Sequence, residues 1–292
     1  MIKVVARYKV KTRPLFEKRV IPYAYGSGQH FPELATNIKR AGKNIEAKIT
    51  TQSISQLVDA TIGMLRFSPD SFITDLRVIS QTQRHKSRSM LNQNRPLVGA
   101  ILKPALASIA SHKKIIGLAK QLRYDFVKDD DLVEYSAERV ARIYRLCGSR
   151  LVYFRKVSKQ KQFSRRPSMI VPWIDGWSLA EAFTATPNAP LMIHCANMPL
   201  QVSWAVHITL ARLVGASFVI VPDPAFDRAV RLAEVLQAAS KPVQNISSVR
   251  LLFAGAVTPT RIRAITQRTP HKHRGLIGFT IGSWLLKKYP SA

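Results

Sequence analysis

From Arg95 onward the chain alternates short apolar runs with longer amphipathic ones, and it does so eight times. The apolar runs are Leu97–Lys103, Tyr124–Asp130, Arg150–Arg155, Met169–Trp173, Leu191–Cys195, Phe218–Pro222, Val249–Gly255 and Leu276–Thr280. Between most of them lie segments with helical spacing: Ala107–Leu122, Ser136–Leu146, Ser178–Ala185, Val202–Val214, Phe226–Ala239 and Pro259–Gln267. Strands buried on both faces read as near-continuous apolar runs, and strands separated by helices pair in parallel. Eight such units predict a closed (β/α)8 TIM barrel. Two crossovers are reduced. Lys156–Pro167 is short and basic, and only Trp284–Ala292 follows the last strand.

The first 80 residues read differently. Ile2–Val10, Asn44–Thr51 and Phe72–Ile79 have strand character, and Pro32–Ala41 and Ser55–Leu65 have helical character, with Ser53 as a cap for the second. They predict a small α+β, ferredoxin-like domain over residues 1–80. Residues 81–94 are polar and basic and read as a linker, in which His85 is solvated. The barrel domain then occupies 95–292 and is shortened at its C-terminal end.

Charge is the compositional anomaly. Lys and Arg number 45 against 17 Asp and Glu, a formal net charge of +28. An excess of that size attracts polyanions and brings nucleic acid into view as a partner. Compositional drift explains it equally, because the cations are spread along the chain. No apolar run reaches the length of a membrane span, and no signal-peptide cleavage site follows Met1. The two cysteines, Cys147 and Cys195, lack metal-ligand spacing and read as reduced thiols of a cytoplasmic protein.

Against that basic background, Tyr124-Asp-Phe-Val-Lys-Asp-Asp-Asp131 stands out. On a strand, Lys128 and Asp130 point the same way, and Asp131 at the turn can join them. A lysine and two carboxylates would then meet at the C-terminal mouth of a strand. Read without further context, the same residues make a solvated acidic turn that caps a helix starting near Glu134.

Two stretches resemble the RuBisCO large-chain family and its RuBisCO-like (form IV) members. Arg95-Pro-Leu-Val-Gly-Ala-Ile-Leu-Lys-Pro104 is similar to their first barrel strand, and Tyr124–Asp131 to their second. Pro190–Ala196 resembles the fifth strand, and Val206–Pro224 the helix and sixth strand after it. The 1–80 domain is similar too, including Ile62–Leu76. The resemblance implies that Lys128 reacts with carbon dioxide to form a carbamate, which joins Asp130 and Asp131 as ligands to Mg²⁺. It implies that Lys103 is the base or the polarising cation for enolisation, and that His194 faces the substrate. Taken alone, His194 reads as a core histidine and Lys103 as an ion-pair partner of Asp130. Gly255, Gly278 and Gly282 fall where the family's phosphate loops lie. A homodimer is implied, because the family completes each barrel mouth with a partner's N-terminal domain.

The departures narrow the activity. Ala105 stands where carboxylases carry a second lysine, and Cys195 where they carry a phosphate-gripping arginine. Pro222–Asp227 holds no lysine. Ala254-Gly-Ala256 and Gly278-Phe-Thr-Ile-Gly282 replace glycine-richer loops, and Tyr25 and Met64 stand near expected catalytic positions. The resemblance therefore implies Mg-dependent enolisation, isomerisation or decarboxylation of a small sugar-derived phosphate or oxo acid, by an isomerase or lyase rather than a ribulose-bisphosphate carboxylase. The alternative is a decayed enzyme reused as a basic structural or RNA-binding subunit.

Overall fold

The computed structural model describes residues 1–10, 35–41, 44–63, 65, 71–82, 94–103, 109–130, 135–185, 189–255, 257–282 and 284–285. The N-terminal unit is a four-stranded antiparallel sheet of β1 (Ile2–Val10), β2 (Ala35–Ala41), β3 (Asn44–Thr51) and β4 (Ser71–Gln81), in the order β2-β3-β1-β4. Helix α1 (Ile54–Thr61) follows β3 and is capped by Ser53, whose hydroxyl accepts from the Gln56 N–H at 3.1 Å. Alternation in β1 buries Ile2, Val4, Ala6, Tyr8 and Val10. One expectation fails here. The segment predicted as a helix over Pro32–Ala41 carries strand β2 in its described part, paired with β3 through residues such as Ile38↔Ala47. Pairing with a neighbouring strand overrides a weak helical pattern.

The barrel strands are β5 (Leu97–Leu102), β6 (Phe126–Asp129), β7 (Val152–Lys156), β8 (Ser168–Ile170), β9 (Leu191–Ile193), β10 (Phe218–Pro222), β11 (Arg250–Ala254) and β12 (Ile277–Ile281). They close into one barrel in sequence order, every neighbour parallel. The helices are α2 (Ile109–Gln121), α3 (Ala137–Cys147), a single turn α4 (Pro172–Asp175), α5 (Trp177–Ala185), α6 (Trp204–Leu213), α7 (Leu232–Ser240) and α8 (Pro259–Arg268). Leu97, Phe126, Phe154, Met169, Met192, Phe218, Ile220 and Leu252 fill the barrel interior, so it is a packed core below its mouth.

Several boundaries shift for identifiable reasons. β8 stops at Ile170 because Pro172 cannot donate to a ladder and instead opens α4. The helix expected from Phe226 begins only at Leu232, because Asp223 and Asp227 fold the preceding chain into turns: each accepts from the N–H two residues on, Ala225 at 2.7 Å and Ala229 at 2.9 Å. The short crossover after β7 holds a 3₁₀ turn at Gln160–Gln162, pinned by buried Arg155 donating to the Gln162 carbonyl and to Ser164 Oγ.

The sheet is fastened to the barrel. The Ile73 N–H donates to Gln201 O at 2.9 Å, and the Ser203 N–H donates to Ile73 O at 3.1 Å. Gln81 Nε2 donates to Leu213 O at 3.1 Å, and the Ile54 N–H donates to Glu181. Among the described residues, no helix is long and apolar enough to cross a membrane.

Candidate active site at the barrel mouth

Alternation along β6 divides the acidic motif into two functions. Phe126 and Lys128 face the interior, whereas Val127 and Asp129 face the helices. Lys128 is 1% exposed, donates from Nζ to the Asp129 carbonyl at 3.0 Å and lies 3.8 Å from Met169 Sδ. Asp129 is fully buried on the other side. Its carboxylate accepts from both terminal nitrogens of Arg139 (2.9 and 3.0 Å), from Tyr153 Oη (2.8 Å) and from the Lys156 N–H (2.9 Å). Asp129 therefore ties β6 to α3 and β7. Burial, with the Asp129 charge second, raises the Tyr153 hydroxyl far above its ordinary range, so it stays a donor.

Asp130 follows at the mouth, half-buried, with its N–H donating to Leu102 O at 3.1 Å. The register that sets Leu102 against Asp129 carries Lys103 and Asp130 together to the strand ends. Lys103 also adjoins Gly282, where an added Cβ would come 3.0 Å from Lys103 Cε. Asp131 lies outside the described residues, as do Tyr25, Met64, His85 and Ala105. Helix α3 is capped by Ser136, whose hydroxyl accepts from the Arg139 N–H, so the aspartates are not the helix cap.

His194 extends β9 into the mouth, its N–H donating to Ile170 O at 2.9 Å. Burial first, then the charges of Lys128, His207 and Lys156, hold its imidazole well below the usual range. It is neutral at pH 7. Its Nδ1 accepts from the Ala196 N–H at 3.1 Å, which leaves the proton on Nε2 as a hydrogen-bond donor.

The three glycines differ in setting. Gly278 lies within β12, where an added Cβ would meet Leu252 at 2.7 Å and the Leu97 carbonyl at 2.9 Å, so close packing accounts for it. Gly255 has φ +86°, a conformation side chains rarely adopt, and the Phe226 ring lies 3.5 Å from where its Cβ would stand. Gly282 faces Lys103.

One residue that the sequence reading left in a basic cluster belongs to this mouth. Lys156 ends β7 on the side of Phe154, and its charge acts on both His194 and Asp175. Asp175, at the end of α4, is raised by burial, an effect opposed by Lys156 and by the Val171 N–H it accepts. Lys103, Lys128 and Lys156 thus rise from three consecutive strands. Their alternation along β5, β6 and β7 was the available signal. Among the described residues, no three His, Cys, Asp or Glu side chains gather as a metal-binding group.

No family model matches the sequence, and no curated protein matches it. Solved structures do. A RuBisCO-like protein from Rhodopseudomonas palustris superposes with a TM-score of 0.72 at 17% identity, covering 96% of this chain and 94% of that one. The octameric ribulose-1,5-bisphosphate carboxylase/oxygenase of Pyrococcus horikoshii gives 0.72 at 14% identity, over 98% and 83%. A RuBisCO-like protein (MtnW) from Alicyclobacillus acidocaldarius gives 0.65 at 16%, over 96% and 87%. Across nearly its whole length, N-terminal sheet and barrel together, this chain has the fold of RuBisCO and the RuBisCO-like proteins.

Proposed function

We propose that the chain is a divergent RuBisCO-like enzyme that enolises, isomerises or decarboxylates a small sugar-derived phosphate or oxo acid, and that it does not carboxylate ribulose bisphosphate. The observation that carries this reading is Lys128: a fully buried lysine on the interior face of the second barrel strand, two residues before Asp130, in this fold. The donor set fits a hard divalent cation. A carbamate on Lys128 would supply an anionic oxygen, and Asp130 and Asp131 would supply carboxylates, the ligands Mg²⁺ prefers. When bound there, Mg²⁺ would polarise a substrate carbonyl.

The remaining chemistry belongs to the chain. With Lys128 carbamylated, Lys156, and Lys103 while it is protonated, keep the mouth cationic and favour an anionic substrate. Lys103 would take the proton from the carbon beside the carbonyl. The Nε2–H of neutral His194 would donate to the developing enolate oxygen. Gly255 and Gly282 would let backbone approach a phosphate, although the Phe226 ring over Gly255 and the bulk of Phe279 and Ile281 leave that grip weaker than a glycine run. The missing sixth-strand lysine and fifth-strand arginine support a reaction without carboxylation.

The protein would work in the cytoplasm as a homodimer. Self-association is supported by large apolar side chains exposed at the mouth end, Tyr135 at 39% and Phe226 at 71% outside regular elements and Ile174 at 47% on the single turn α4.

The test is ¹³C NMR in labelled bicarbonate with Mg²⁺. A carbamate resonance is expected in the wild type and is expected to vanish in Lys128→Ala. In D₂O, exchange of the proton beside the carbonyl in candidate phosphorylated ketoses and oxo acids is expected to need Lys103. A wild-type protein with no carbamate at saturating bicarbonate would overturn the reading.

A further inference from the structure

A groove runs between the outer edge of β4 and helices α6 and α7, away from the barrel axis. One part encloses about 660 Å³ and is lined by six cations, Arg7, Arg77, Arg212, Arg228, Arg231 and Lys241, against two acids, Asp75 and Glu234. Two of these cations are neutralised: Arg7 pairs with Glu46 at 2.6 Å and Arg231 with Glu234 at 3.0 Å. Arg212 is a fixed floor, 5% exposed, donating to the carbonyls of Ser247, Ala238 and Lys241. Arg77, Arg228 and Lys241 are exposed on the rim and make no ion pair among the described residues.

The groove continues into a hollow of about 680 Å³. The two share Thr74, Ser203, Ala205, Ala229, Arg231 and Glu234. This second part is mainly apolar, walled by Phe72, Met198, Leu200 and Val235, with the amides of Asn197 and Gln201 beside them. Leu200 is 96% exposed. None of Lys103, Lys128, Asp130 or His194 lines either part, although Cys195 and Pro222, at the ends of β9 and β10, bring the hollow to the outer edge of the barrel mouth.

A rim of uncompensated cations that leads to an apolar hollow edged by amides matches one ligand chemistry. Phosphates need the cations, arginine above all, because its planar fork meets two phosphate oxygens at once. A nucleobase has an apolar flat face and a hydrogen-bonding edge. An acidic peptide would use the rim and leave the hollow empty. We propose that this groove binds single-stranded nucleic acid, with its phosphates along Arg77, Arg228 and Lys241 and a base in the hollow at Phe72 and Leu200. The chain's net charge of +28 would draw the strand in.

Fluorescence anisotropy with labelled oligouridylate and oligothymidylate 12-mers at low salt tests the site. The groove triple Arg77→Glu, Arg228→Glu, Lys241→Glu is compared with a control triple Lys3→Glu, Lys113→Glu, Arg263→Glu, which removes the same charge from exposed positions elsewhere. The groove triple is expected to weaken binding by at least about tenfold and to lower the salt slope by about two, the share of three phosphate contacts on a single strand. The control triple should change affinity far less. If the groove triple melts early, the corresponding glutamine triple replaces it. Binding of either oligonucleotide with this pattern supports the site. Equal weakening by both triples, equal binding of polyglutamate, or no wild-type binding at low salt would overturn it.

Discussion

Neighbouring aspartates in one motif have different settings, and substitution separates the roles expected of them. Asp129 is buried with four hydrogen bonds, two of them from Arg139. Asp129→Ala would strand that guanidinium in a largely buried site and is expected to cost about 3–5 kcal/mol, read as a lowered urea midpoint. Asp130→Asn, half-buried at the mouth, should leave the midpoint nearly unchanged while abolishing the Mg²⁺-dependent carbamate signal. The sequence carried this distinction in its alternation, which separates Lys128 and Asp130 from Asp129. It could not reveal that Tyr153 and Arg139 would converge on Asp129 from two other elements. A second residue-scale prediction concerns His207, packed among Trp173, Trp177 and Trp204. Its Nδ1 accepts from Trp173 Nε1 at 2.9 Å, its Nε2 has no partner among the described residues, and burial pushes its pKa down to about 3. The folded state resists a proton that the unfolded chain accepts below about 6.5. Stability from this site is therefore complete above pH 6.5 and lost as pH falls towards 3, by a few kcal/mol at most on the order of the shift. His207→Phe should flatten the acid limb of a melting-temperature profile by close to one proton, while lowering stability at pH 7 because Trp173 loses its acceptor.

At the level of elements, legibility followed burial. The barrel strands were readable because both their faces are covered, which leaves apolar runs that few other structures produce. Strand β2 was not readable: Ala-Thr-Asn-Ile-Lys-Arg-Ala has little β-branched character, and only its ladder with β3 makes it a strand. The ends of β8 and the start of α7 moved because a proline and two aspartates reshaped the local backbone, effects confined to single turns. Glycines in the last strand show why position within an element outweighs motif likeness. Gly278 falls in a phosphate-loop pattern, yet it sits within β12 against Leu252 and the Leu97 backbone. Gly278→Ala is expected to cost roughly 1–3 kcal/mol through overpacking, measured by chemical denaturation. Its effect on substrate affinity should be small beside that of a substitution at Gly282, which faces Lys103.

Taken as a whole, the molecule places two kinds of surface in opposition, and salt distinguishes them. The net charge makes copies of the chain repel one another, whereas the exposed Ile174 and Phe226 near the mouth favour contact between copies. Apolar burial is insensitive to modest ionic strength, but like-charge repulsion is screened as ions are added, with a Debye length of about 10 Å at 0.1 M. The proposed dimer should therefore tighten as salt rises, while nucleic-acid binding in the β4 groove should weaken over the same range, because it depends on releasing counterions from the strand. Sedimentation velocity from low to moderate salt is expected to show a growing dimer fraction. The double substitution Ile174→Glu, Phe226→Glu should keep the protein monomeric throughout. A dimer that dissociates as salt is added would mean that charge pairing, rather than the apolar mouth rim, joins the subunits, and a dimer that survives the double substitution would place the interface elsewhere on the chain.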